Sequence, residues 1–94
     1  MTADQKTAIL AMMKTDLGII SQTAYDERFS QIIESSAKSI AEEGATLDLD
    51  DVEDMQLVCM YSSWIWRRRD SGDGMTRMLR YALNNRIMRE KANG

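Results

Sequence analysis

The segment DMQLVCMYSSWIWRRRD, from Asp54 to Asp70, constrains the fold more than any other part of this 94-residue chain. On a helix the apolar side chains of this segment, with Val52 just before it, occupy two faces: Val52, Met55, Cys59 and Trp66 on one, and Leu57, Met60, Tyr61 and Trp64 on the other. A surface helix needs only one apolar stripe, whereas a helix that is apolar all round is enclosed by neighbours. We therefore predict that this helix is central in its domain, contacts another copy of the chain, or does both.

The composition favours an all-α fold. The chain has no proline and only five glycines, and its apolar residues are mostly Met, Leu, Ile and Ala, which are compatible with helices. Its length fits one small domain, so we expect a single domain over residues 1–94. The predicted architecture is a small bundle of four or five helices with an apolar third helix at its centre.

Apolar periodicity and capping residues place four helices. The first three are predicted over Ala3 to Thr15, over Ala24 to Glu43, and from an N-cap at Asp50 to a last turn that holds Arg67, Arg68 and Arg69. The fourth is predicted over Met75 to Lys91, after a turn at SGDG. The remaining start and stop residues are Thr2 with Gln5, Thr23 with Asp26, Gly18 and Gly44.

Enzymatic chemistry is not expected. The chain has no histidine, which removes Ser-His and Cys-His nucleophile pairs and the commonest zinc ligand. Cys59 is the only cysteine and is interpreted as a small buried apolar residue. The acidic pairs Glu42–Glu43 and Asp50–Asp51 are explained by their positions at helix ends. We therefore predict no catalytic residue, no metal and no cofactor.

Membrane insertion is not expected either. No apolar stretch approaches the ~18–20 residues that a membrane span requires. The N-terminal sequence MTADQKTAIL lacks the basic flank and apolar run of a signal peptide. The expectation is a soluble protein in the cytoplasm of the cell that makes it.

Charge is divided unevenly along the sequence. Residues up to Ile65 include four basic and twelve acidic residues, whereas those from Trp66 onward include eight basic and three acidic residues. Arginine is enriched at protein interfaces, and an arginine-rich segment with aromatic residues can also contact nucleic acid. The pI near 4.8 disfavours a dedicated nucleic-acid binder. The candidate interface residues are Arg67, Arg68, Arg69, Arg77, Arg80, Leu57, Tyr61 and Trp64.

The sequence also resembles a known family over almost its whole length, from about Ile9 to Met88. The stretch YDERFSQIIESSAKSIAEEG, then Tyr61, Trp64 and Arg67 to Arg69, then RYALNNR is similar to the pattern of small head–tail connector (head-completion adaptor) proteins of tailed phages and prophages. The resemblance implies a non-enzymatic helical domain that assembles as a homo-oligomeric ring of about twelve copies.

The resemblance further implies a place for that ring. It lies between the portal protein and the next tail component or stopper protein, at the head–tail junction of the virion, and it is assembled in the cytoplasm of the bacterial host. DNA passes through its centre, and no membrane is involved.

Two further hypotheses concern contacts. In a ring, Arg67 to Arg69 and the basic last helix are expected to meet the acidic second helix, or the turn at Asp50 to Asp54, of a neighbouring copy. The alternative function is a small helical regulator that binds nucleic acid through the basic C-terminal helix. Its helix-turn-helix motif would fit poorly here, because the preceding helix is apolar and the connection reads DSGDG.

Overall fold

The all-α prediction is confirmed. The computed structural model describes residues 1–72 and 74–93, apart from the side chains of Asp70, Ser71 and Asn93. Its helices are α1 (Ala3–Leu17), α2 (Asp26–Glu42), α3 (Val52–Ser71) and α4 (Arg77–Asn93), and the described residues contain no strand. Asp73, in the predicted SGDG turn, lies outside the described residues.

The first helix begins at the predicted capping box and stops at the predicted Gly18, but it runs two residues beyond Thr15, to Leu17. The Thr2 hydroxyl accepts a hydrogen bond from the Gln5 N–H at 3.1 Å, and the Gln5 side chain accepts one from the Thr2 N–H at 2.9 Å. This reciprocal capping box satisfies two backbone donors that a helix start leaves open. Gly18 follows the helix with a φ of 74°, the left-handed conformation that a helix stop commonly requires.

Two predicted N-caps were wrong. Helix α2 begins after Tyr25 and not at Thr23, because Thr23 instead belongs to a turn in which its carbonyl accepts from the Asp26 N–H. Helix α3 is capped by Asp51, which accepts from the Glu53 N–H, and not by Asp50. The Asp50 carboxylate is engaged elsewhere, since it accepts a hydrogen bond from Gln5 on α1.

The last helix begins two residues later than predicted. The Thr76 hydroxyl accepts a hydrogen bond from the Leu79 N–H at 3.2 Å, so Thr76 provides the N-terminal cap. The preceding helix stops at Gly72, whose φ of 68° is the left-handed conformation common at a helix end.

The third helix is the centre of the bundle. It packs against each of the other three helices, and α1 and α2 also pack against each other. The shared core includes Ile9, Met13, Phe29, Ile33, Ile40, Leu57, Val58, Leu79 and Leu83. The predicted central position of α3 is thus confirmed, and Leu57 is part of the core. A single chain leaves the large apolar residues near the end of α3, such as Tyr61 and Trp64, half-buried.

Two contacts show that α1 and α3 run in the same direction. Gln5 near the start of α1 contacts Asp50 just before α3, and Asp16 near the end of α1 contacts Arg67 near the end of α3. Helix α4 runs the opposite way, since Glu90 near its end contacts Thr46 in the α2–α3 connection. The start of α1 and the end of α4 therefore lie at the same end of the bundle, which measures 41 × 31 × 18 Å.

Candidate interaction surface

Two of the three consecutive arginines cover tryptophans of their own helix. The Arg69 guanidinium carbon lies 3.5 Å from the Trp66 ring centroid, and that of Arg68 lies 4.6 Å from the Trp64 centroid. Both distances fall within the range of cation–π attraction. The Trp64 indole N–H also donates to the Gly74 carbonyl at 3.2 Å. The tryptophan faces that an arginine-rich nucleic-acid site would offer to bases are therefore partly occupied by the chain's own arginines.

Trp66 also joins the end of α3 to the start of α2. Its ring meets Phe29 edge-on with centroids 4.7 Å apart, and it lies 5.2 Å from the Tyr25 ring. Edge-to-face pairs at such distances add to the free energy gained from burying the rings. Trp66, near the end of α3, therefore contributes to the packing of the fold.

Arg67, the remaining arginine of the three, contacts the first helix. Arg67 lies 3.4 Å from the carboxylate of Asp16, and both side chains are about half exposed to solvent. An exposed ion pair of this kind contributes little to stability, on the order of 0–1 kcal/mol. Arg67 is thus weakly held and accessible.

A buried charge network joins α4 to the α2–α3 connection. Asp54 is 1% exposed, and its carboxylate accepts hydrogen bonds from Arg86 at 2.8 Å and from the Asp48 N–H at 2.8 Å. Arg86, 11% exposed, also donates to the Thr46 carbonyl and to Glu90. The network satisfies charges that would otherwise be costly to bury.

The pKa shifts in this network have clear causes. Burial raises the pKa of Asp54, but the hydrogen bonds from Arg86 and Asp48, with the charges of Arg86 and Arg89, outweigh it and lower the pKa below its ordinary value. The same carboxylate raises the pKa of Arg86. The pKa of Glu90 is lowered by its hydrogen bonds with Thr46 and Arg86. The network is therefore fully ionised at neutral pH.

Further cations of α4 also form ion pairs with carboxylates of the same chain. Arg89 lies 2.7 Å from Glu53, and Arg80 lies 4.0 Å from Glu43 at the end of α2. The contact predicted between the basic last helix and the acidic turn of a neighbouring copy is thus made within one chain. This changes the hypothesis about assembly, because Arg80, Arg86 and Arg89 already have partners.

One side of α4 remains exposed and without acidic residues. Positions every three or four residues along it are exposed and form what we call the α4 stripe: Arg77, Tyr81, Asn84, Met88 and Lys91. Tyr81 is 69% exposed and Met88 67%. Among the described residues, neither Arg77 nor Lys91 forms an ion pair. The stripe therefore combines two bulky exposed side chains with two available cations.

A groove lies between α1 and α3. Its cavity has a volume of about 540 Å³, and we call it the α1–α3 groove; it is lined by Ala11, Met12, Thr15, Asp16, Gln56, Cys59 and Met60. Burial, together with the charge of Asp16, raises the pKa of the Cys59 thiol. Asp16 is the only charged residue in this lining, and it is paired with Arg67 at 3.4 Å, so the groove is apolar with an ion pair at its edge.

The predicted interface residues have separate locations. Leu57 is in the core, and Tyr61 and Trp64 pack edge-on at 5.4 Å. Arg67, Arg68 and Arg69 surround the end of α3, Arg80 pairs with α2, and only Arg77 belongs to the α4 stripe.

The predicted interface residues did not include Tyr81 and Met88. Their positions opposite Leu79 and Leu83 on a helical projection contain the signal that could have identified them.

Other kinds of site have no support in the described residues. They include no group of three or more His, Cys, Asp or Glu residues arranged to hold a metal ion. None of the helices, over the part of the chain that the structure describes, is long and apolar enough to cross a membrane. Comparison with family models, with curated proteins and with solved structures gave no match.

Proposed function

We propose that the protein is a structural adaptor of a phage or prophage particle, a head–tail connector subunit that assembles as a ring. Its partners would be further copies of the chain, the portal protein and the next tail component or stopper protein. In this proposal the ring belongs to the virion at the head–tail junction, is assembled in the host cytoplasm and lets DNA pass through without sequence-specific contact. No enzymatic step is assigned to it.

The observation that carries the proposal is the α4 stripe. Tyr81 and Met88 are large and mostly exposed, although the opposite side of the same helix fills the core with Leu79 and Leu83. Exposed aromatic and methionine side chains near arginine are enriched where proteins meet one another. The sequence resemblance to connector proteins gives the contact its biological setting.

The second candidate is a nucleic-acid-binding regulator, and one observation favours it. The charged residues of the α4 stripe are all cations, which is the pattern that neutralises phosphates. Against it, the tryptophans beside the arginines are covered by Arg68 and Arg69, and Arg86 and Arg89 are bound to Asp54 and Glu53. Few cations of this region are therefore left to contact a duplex.

One pair of measurements separates the two functions. Light scattering over a range of protein concentrations gives the assembly state, and a titration with duplex DNA at two salt concentrations gives the affinity and its salt dependence. The adaptor is supported by assemblies larger than a dimer with weak duplex binding. A monomer or dimer that binds the duplex tightly, with an affinity that falls steeply with salt, contradicts it.

A further inference from the structure

We propose that a cavity between the last turns of α3 and the first turn of α4 binds a small organic anion, one that carries a carboxylate or phosphate group on an apolar body. We call it the Trp64 cavity. Its volume is about 460 Å³, within the range of roughly 300–1,000 Å³ that is typical of small-molecule sites. This inference goes beyond the proposed function and does not depend on it.

One face of α3 forms the longer wall of the Trp64 cavity. Met60, Ser63, Trp64, Arg67 and Arg68 follow one another at the three- and four-residue spacing that places side chains on the same side of a helix. The facing wall is the start of α4, with Thr76, Met78 and Leu79. The cavity is therefore built from two regular elements and the connection between them.

The first argument is a buried hydroxyl that lines the cavity without a good partner. Ser63 is 1% exposed, and its Oγ makes no hydrogen bond to a nitrogen or oxygen of the described residues. Its neighbour Ser62 donates to the Val58 carbonyl at 2.7 Å, whereas Ser63 has beside it the Cys59 thiol, a weak hydrogen-bonding group. Buried polar groups are normally paired, so the Ser63 hydroxyl indicates an acceptor that a ligand supplies.

The second argument is the start of α4. The Arg80 N–H makes the first helical hydrogen bond, to the Thr76 carbonyl, and the Leu79 N–H donates to the Thr76 hydroxyl. The N–H groups of Arg77 and Met78 are left without a partner within the helix. Donors of this kind, with the positive end of the helix dipole, favour an anionic acceptor.

The third argument is the charge of the lining. Its charged side chains are Asp16, Arg67 and Arg68, and Arg67 lies 3.4 Å from the Asp16 carboxylate. Arg68 forms no ion pair among the described residues, and its guanidinium carbon lies 4.6 Å from the Trp64 ring centroid. Stacking on the ring leaves the N–H groups of Arg68 available, so the lining holds one cation in excess.

The remaining lining defines the rest of the ligand. Met60, Trp64, Met78 and Leu79 place apolar atoms beside the polar groups. An inorganic ion would use only the donors, whereas an anionic group attached to an apolar body also removes this apolar surface from water.

The test is an NMR titration of the isotope-labelled chain with phenyl phosphate and with phenylacetate. Saturable shifts are expected at the indole N–H of Trp64 and at the backbone N–H of Met78, and not at the indole N–H of Trp66, which does not line the cavity. Inorganic phosphate and the neutral benzyl alcohol should each bind at least about tenfold more weakly than the tighter of the two probes. The tighter probe identifies the anionic group that the site prefers.

Four variants assign the donors. Ser63→Ala and Arg68→Gln should each weaken binding at least about fivefold, because each removes a hydrogen bond to a charged group. The matched controls Ser62→Ala and Arg69→Gln, at neighbouring positions outside the lining, should bind like wild type. Ser63→Ala should also leave the melting temperature unchanged or higher, since the hydroxyl that it removes has no good partner in the fold.

A fifth variant should gain affinity. Asp16→Asn removes the acid from the lining and releases Arg67, so the anionic probes should bind several-fold more tightly while benzyl alcohol does not. A structural role for these residues alone would not produce that difference between the probes.

Several results would overturn the inference. They are the lack of a saturable shift with either anionic probe, equal binding of benzyl alcohol or of inorganic phosphate, and affinity losses in the control variants as large as those of Ser63→Ala and Arg68→Gln. The adaptor function is judged by assembly and stands or falls separately.

Discussion

The carboxylate of Asp54, 1% exposed to solvent, accepts a hydrogen bond of 2.8 Å from the guanidinium of Arg86 on the opposite helix. The pair fixes α4 against α3 at the place where α3 begins. Arg86 extends the same interaction to Thr46 and Glu90, so three segments of the chain meet at one ion pair. The loss of Arg86 leaves the buried Asp54 carboxylate with only the more distant Arg89, at 3.5 Å, and the loss of Asp54 leaves Arg86 with Glu90 alone.

Replacing Arg86 by methionine should strongly destabilise the fold. The substitution preserves most of the apolar side-chain volume but removes the cation nearest to the buried Asp54 carboxylate, so we expect a loss of about 3 kcal/mol in the free energy of unfolding. Urea denaturation followed by circular dichroism measures it. Arg80→Met is the matched control, because Arg80 is exposed and 4.0 Å from its partner. Equal losses in the two variants would contradict the role assigned to the pair.

The Asp54 carboxylate should make the free energy of unfolding depend on pH. The pKa of Asp54 is lower in the folded than in the unfolded chain, so its contribution is complete above the unfolded pKa of about 4 and is lost as the pH falls through the folded pKa. We expect the wild-type chain to be more stable than Asp54→Asn at pH 7. This difference in the free energy of unfolding should shrink between pH 4 and acid denaturation. A difference that does not change with pH would refute the assignment.

Trp66 should contribute more to stability than its partial exposure suggests. Trp66→Ala removes the edge-on contact with Phe29, the contact with Tyr25 and the surface on which Arg69 stacks, so we expect a loss of about 3 kcal/mol. Thermal unfolding at fixed pH provides the comparison. Tyr81→Ala, at an exposed site, should change stability by no more than about 0.5 kcal/mol. The prediction fails if Trp66→Ala is as mild as this control.

Gly18 should tolerate alanine poorly although space is available. Its φ of 74° disfavours any residue with a Cβ, and no atom lies within 4 Å of the place where that Cβ would be. The expected loss, about 1 kcal/mol, thus comes from backbone conformation alone. Gly74 is the control, since it is also uncrowded and its φ is not positive, and Gly74→Ala should leave the melting temperature nearly unchanged.

Cys59 should react slowly with thiol reagents. It is buried, and its pKa is raised by burial and by Asp16, so little thiolate is present at neutral pH. We expect modification by a disulfide reagent to be at least about tenfold slower in the folded chain than in urea. Absorbance of the released thiolate measures both rates. Similar rates in both conditions would show that the groove exposes the thiol.

The sequence was most informative where a local rule decides the structure. The spacing of Thr2 and Gln5 predicts a capping box and the structure has one, because both partners belong to the same helical turn. The apolar circumference of α3 likewise predicts a central helix. These features depend on neighbours in the sequence or on the total amount of apolar surface.

Long-range pairing was not predictable in the same way. Nothing in the sequence near Asp54 indicates its partner Arg86, which lies thirty-two residues later. Asp50 was wrongly predicted as the cap, because the sequence around it does not show that its carboxylate binds Gln5, forty-five residues away. For the same reason the basic last helix was expected to meet acids on another copy, when several of those acids lie in its own chain.

The shared location of the start of α1 and the end of α4 has a practical consequence for engineering. Gln5 and Glu90 both contact segments flanking the start of α3, at Asp50 and Thr46, so a short linker can join the two ends of the described chain. New ends opened between α3 and α4, near Gly72, would give a circular permutant with the same helix contacts. In such a permutant α4 precedes α1, and an affinity tag would emerge from the arginine-rich end of the bundle.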